Sequence, residues 1–178
     1  MKKPVFLPIL TILLTALVLF GAALGLNGIA AANAQAEHLQ IMQTLLPGST
    51  EFVEEPYTGD DANIRSVHKG ENGFVIETVT QGYAGQITML IGVSNDGTVT
   101  GLVVRDLSET YGLGAEVLTD YEFLAQYQNT TGDAEVGTDV DAITGATVTS
   151  RAIARSVNSA VAFVTGADTE SGATSWGG

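Results

Sequence analysis

The sequence predicts an α+β protein, a twisted antiparallel sheet with packed helices, preceded by one N-terminal transmembrane helix. Three observations predict it. An uncharged apolar run opens the chain from Val5 to Leu26, short β-branched runs separated by glycine-rich breaks fill its middle, and an amphipathic stretch follows from about Thr147.

The opening run contains no Asp, Glu, Lys, Arg or His and follows Lys2 and Lys3. Its length matches the ~20 apolar residues that cross a bilayer and exceeds the ~7 to 15 of a signal-peptide core. Residues 1–29 are therefore expected to be an anchor, with the lysines holding the N-terminus in the cytoplasm and the remainder outside. Ala32-Asn33-Ala34 is a small-x-small site where a peptidase would cut a signal peptide. Cleaved or not, the following domain lies on the extracytoplasmic side.

Leu39, Met42 and Leu45, with Ile41 and Leu46 beside them, have helical spacing that Pro47-Gly48 ends, which predicts a stalk helix over residues 30–48. An acidic, turn-rich segment from Ser49 to Asp61 leads into strands expected at Ile64 to Val67, Phe74 to Thr80, Ile87 to Val93 and Val99 to Val104. Their breaks are short, and Asn95-Asp96-Gly97 suits a tight hairpin, so the strands should pair antiparallel. Val117, Leu118, Tyr121 and Leu124 predict a helix over Ala115 to Tyr127. A last helix from Thr147 to Val164 carries an apolar stripe of Ile153, Val157, Ala160, Val161 and Val164, and Gly166 ends it. One domain is thus expected over residues 49–166, with 167–178 as a flexible tail.

Composition excludes several chemistries. The chain has no cysteine and two histidines, His38 and His68, which removes thiolate zinc sites, cysteine-ligated iron–sulfur clusters and disulfides. A metal site is not expected, and any redox chemistry must come from a cofactor. The net charge of −13 opposes nucleic acid, so no nucleic-acid partner is expected.

The stretch from Asp141 to Ser150 lies where a loop enters the last helix and holds the hydroxyls of Thr144, Thr147, Thr149 and Ser150 together with Gly145. Two readings fit those residues. The helix start can bind phosphate through its unpaired N–H groups and dipole, with Arg151 and Arg155 adding positive charge, or it can be an ordinary Ser/Thr-capped helix with two solvated arginines.

Asp141, Thr144, Gly145, Ala146, Thr147 and Thr149 resemble the flavinylation motif Asp-x-x-Ser/Thr-Gly-Ala-Thr-x-Ser/Thr of the FMN-binding domain family. The likeness continues upstream in Gly82-Tyr83-Ala84-Gly85-Gln86-Ile87, Gly92-Val93 and Asp96-Gly97. It also includes Ser108 to Gly114, which is similar to the family's Glu-Thr-Pro-Gly-Leu-Gly loop, with Tyr111 in place of proline and the preceding histidine absent. One anchor followed by one such domain looks most like the branch formed by the G subunits of Rnf-type ion-translocating electron-transport complexes. The C subunit of the sodium-pumping NADH:quinone oxidoreductase is homologous to that branch.

The resemblance implies FMN held covalently through its phosphate on Thr147, placed by a flavin transferase, with Glu109, Thr110, Gly112 and Leu113 against the ring. It implies electron transfer between a low-potential donor and the other membrane subunits of the complex, and no catalytic acid or base, because the flavin carries the electrons. The acidic charge should lower the flavin potential, weakened by screening beyond ~8 Å. An anchored stand-alone FMN reductase for an extracellular acceptor would share this sequence, and a non-redox surface domain would lack bound flavin. The tail repeats the motif at Asp168 to Thr174, but Thr174 has Glu170 near it and no helix after it. Thr147, whose neighbours Ile143 and Val148 should pack on the core, is expected to be the attachment site.

Overall fold

The computed structural model describes residues 6–107 and 120–167, without the side chains of 6–9 and 22–31. The chain falls into two compact units, Met1–Gln40 and Ile41–Gly178.

The segments expected to be an anchor and a stalk form one continuous helix, α1 (Phe6–Leu45), rather than two elements meeting at residue 30. Nothing in the sequence between them breaks a helix, since Gly28 is followed by small helix-forming alanines. Leu13, Leu17 and Phe20 are exposed. Among the described residues no helix is long and apolar enough to cross a membrane.

The second unit holds the antiparallel sheet that the sequence predicts. Its strands are β1 (Val53–Glu55), β2 (Ile64–Lys69), β3 (Gly73–Gln81), β4 (Gln86–Ser94) and β5 (Val99–Leu107), paired in chain order. The acidic segment therefore contributes a short edge strand that the sequence reading leaves as a turn. Glu55 of β1 pairs with Lys69 of β2 at 3.5 Å, and such brevity and charge suit an edge. Asn95-Asp96-Gly97 does form the β4–β5 turn. Gly97 takes φ +85°, and the Ser94 amide donates to the Thr98 carbonyl at 2.9 Å.

Alternation along β3 and β4 creates two packed faces. Ile76, Ile87, Met89, Ile91 and Val93 point to a main core beneath α3 (Thr147–Thr165). Val75 and Leu90 point the other way, against Met42, Leu45 and Leu46. On that second face the sheet is hollowed at Gly92 and Gly101, which are register partners. A Cβ on Gly92 would overlap the Leu45 carbonyl, and the Thr100 hydroxyl donates to that same carbonyl. Glycine within a strand here serves a close backbone approach.

The helix expected over Ala115 to Tyr127 appears as α2 (Tyr121–Ala125), with residues before 120 outside the description. Its start is set by Asp120, whose Oδ1 accepts from the Phe123 amide at 2.9 Å. Helix α3 spans almost the predicted range and ends at Gly166 in the left-handed conformation (φ +70°), a usual helix C-cap.

Candidate functional site

The loop into α3 is built from its own short-range bonds. The Ala146 amide donates to the Ile143 carbonyl at 2.9 Å, and Gly145 between them takes φ +79°, a conformation that favours glycine. Ser150, fully buried, ties loop to helix. Its Oγ accepts from the Ile143 amide at 3.1 Å and donates to the Ala146 carbonyl at 3.0 Å. Asp141 is held from the other side, its amide donating to Oε1 of Gln126 at 2.7 Å. Neither Ser150 nor Gln126 stands among the site residues named from sequence. Ser150 belongs to the hydroxyl cluster and was discoverable there, whereas Gln126 carries no local signal.

Ala146, not a hydroxyl residue, is the N-cap of α3, and no side chain caps the helix. This corrects the ordinary Ser/Thr-capped reading. The hydroxyl best placed to cap is absent because alanine occupies the cap position, and Ser150 is engaged one turn further on. Among the described residues, the first amides of α3 have no side-chain acceptor, and unpaired N–H groups at a helix start favour an anion.

Periodicity decides which motif residues face outward. Thr147 is exposed, together with Asp141, Thr144 and Gly145, while Ala146 and Thr149 are buried. The motif is thus one surface turn standing on a buried foundation. Ile143 packs in the core as expected, but Val148 is 49% exposed, against expectation. The inward face of α3 is taken by Thr149, Ser150 and Ile153, which leaves residue 148 on the outward side of the first turn. Arg151 and Arg155 are exposed on the side of Thr147, at i+4 and i+8. Arg155 Nη2 donates to the Gln81 carbonyl at 3.1 Å, at the start of the β3–β4 turn.

The orientation of α3 puts its start at a particular end of the sheet. Thr80, near the end of β3, contacts Ala152 and Ser156, whereas Thr165 lies over Gly97 in the β4–β5 turn. Thr147 therefore lies at the end marked by the β3–β4 turn. The last described residue of β5, Leu107, pairs with Ile87 at that same end. Glu109, Thr110, Gly112 and Leu113 follow it and lie outside the described residues, as does the second motif at Asp168 to Thr174.

The residues present fit an FMN phosphate. An exposed threonine hydroxyl, an uncapped helix start and a glycine turn provide an attachment atom, amide donors and room for approach.

The FMN-binding domain family matches residues 82–162. The G subunit of the ion-translocating oxidoreductase complex of Methanosarcina acetivorans is 38% identical over 141 residues, covering 70% of this chain and 73% of that protein. The G subunit of the Na(+)-translocating ferredoxin:NAD(+) oxidoreductase complex of Acetobacterium woodii is 37% identical over 100 residues, 50% of this chain and 47% of the relative. The G subunit of the proton-translocating ferredoxin:NAD(+) oxidoreductase complex of Clostridium ljungdahlii is 34% identical over 99 residues, 52% of this chain and 53% of the relative. The chain thus spans about half the length of these last two relatives.

Proposed function

The chain belongs to the FMN-binding domain family represented by the G subunits of ion-translocating oxidoreductase complexes, and on that premise we propose that it is a membrane-anchored electron carrier with FMN esterified to Thr147. The observation that carries this reading is the exposed Thr147 beside an uncapped helix start, inside a complete flavinylation motif.

Free FMN would have to expel water to form the ester, which is unfavourable in water. A flavin transferase using an activated flavin dinucleotide avoids this. The Thr147 oxygen bonds to the flavin-side phosphorus, the diphosphate bond breaks, and the nucleotide monophosphate leaves with the hydroxyl proton transferred to solvent. When bound, FMN supplies reversible electron transfer. The chain's own residues then hold its phosphate at the first turn of α3 and position the ring. The sheet end that carries Thr147 also carries Leu107, the last described residue before Glu109, Thr110, Gly112 and Leu113, which the family resemblance sets against the ring.

Anchoring is supported by the charge-free run from Val5 to Leu26 and by the exposed apolar side chains of α1. Lys2 and Lys3 favour a cytoplasmic N-terminus and an extracytoplasmic domain, with the other membrane subunits of an Rnf-type complex as partners. Co-expression with a flavin transferase, followed by intact mass and peptide mapping, tests the attachment. One FMN on the Thr147 peptide is the expected result. Labelling confined to the Thr174 peptide, or none at all, would overturn it.

A further inference from the structure

Helix α3 reverses the usual placement of charge. Its first turn has no acidic residue, and Arg151 and Arg155 are the only charged side chains anywhere in it, although the chain carries twenty Asp and Glu. Cations near a helix start face the positive end of the dipole and destabilise the helix unless an anion lies there. The sequence treats the two arginines alike, but the structure separates them. Arg155 donates to the Gln81 carbonyl and holds the β3–β4 turn. Arg151 enters no ion pair among the described residues.

Position aims Arg151 at Thr147. Residues four apart on a helix are neighbours, about 5–6 Å between Cβ atoms. Side chains also lean toward the helix N-terminus, so a residue covers the turn before its own. That turn begins at Thr147, and both residues are exposed.

We propose that Arg151 is the counter-ion of the phosphodiester on Thr147, while Arg155 has a purely structural task. This rests on the attachment proposed above. A diester keeps one negative charge at neutral pH, and that charge cancels the clash between the guanidinium and the helix dipole. Arg151 therefore disfavours the helix before flavin is attached and favours it afterwards.

The full-length protein in detergent, with and without attached flavin, tests this through urea unfolding of wild type, Arg151→Gln, Arg151→Lys and Arg155→Gln. Without flavin, Arg151→Gln should leave the unfolding equilibrium unchanged or shift it toward the folded state. With flavin, the same change should shift it toward the unfolded state by about two- to fivefold. Arg151→Lys should behave as wild type, and Arg155→Gln should weaken both forms equally. The phosphorus resonance of the flavinylated protein should move in Arg151→Gln and not in Arg155→Gln. Equal effects of Arg151→Gln on both forms, with an unmoved phosphorus resonance, would overturn the counter-ion role. Wild type carrying no flavin at Thr147 would instead overturn the attachment, and this inference with it.

Discussion

The hydroxyls of Thr80 and Ser156 meet 2.9 Å apart, fully buried, where β3 touches α3. Thr80 also donates its one hydrogen to the Ala152 carbonyl at 3.1 Å, so Ser156 is the donor to Thr80. This chain of bonds fixes the rotation of α3 about its axis, and with it the outward direction of Thr147 and Arg151. Thr80→Val removes both bonds and strands the Ser156 hydroxyl, at a cost of ~1–3 kcal/mol. Ser156→Ala leaves the bond to Ala152 in place and should cost less, about 1 kcal/mol. Urea midpoints of the two variants decide the matter. Equal losses would mean that the pair does not set the register.

Thr147→Ala should abolish covalent flavin with little effect on folding. Thr147 is exposed and is not the helix cap, and alanine is the better helix former, so stability should stay within about 0.5 kcal/mol of wild type. In-gel flavin fluorescence and a urea melt provide the two readouts. Fluorescence that survives denaturation in this variant would sink the assignment.

That exposure was legible in part. The apolar stripe of α3 and the alternation in β3 and β4 are strong periodic signals, and they located the core and most strand ends. Three features had no such signal. Strand β1 is short, polar and dependent on Lys69 across the ladder, so its sequence looks like a turn. Val148 looked apolar and therefore inward, but the face was already filled by Thr149, Ser150 and Ile153. The cap on Ala146 instead of a neighbouring hydroxyl depends on the Ile143–Ser150 bond, a contact between loop and helix that local propensity does not encode.

Tyr127 offers a test by pH. Its ring is fully buried against Phe123, and among the described residues its hydroxyl has no partner. Burial raises its pKa above the ordinary value of 10.0. A raised pKa means that the unfolded chain loses its proton first, so the stability contributed is complete below pH ~10 and declines as pH rises beyond it. Tyr127→Phe should remove that alkaline decline, and at neutral pH it should leave stability equal or raise it by about 1 kcal/mol. Urea melts at neutral pH and above pH ~10 check both points. An unchanged alkaline decline in the variant would place its origin elsewhere.

The orientation proposed for the domain predicts that protease added to intact cells removes residues beyond Leu26. In inside-out vesicles the same residues should be protected. Digestion in the vesicles alone would reverse the orientation.

Strand pairing in strict chain order means that each strand of the sheet finds its partner next to it in sequence, with little chain to close between them. The sheet can therefore assemble progressively, from the N-terminal side onward. Helix α3 is the last element of the chain and covers the main core. The turn from Gly145 to Thr147 is tied to Ser150, a residue of α3 whose side chain is buried when that helix packs on the sheet. An enzyme that recognises the shaped turn would thus act after folding is complete, and a group placed on Thr147 would serve as a mark of a finished domain.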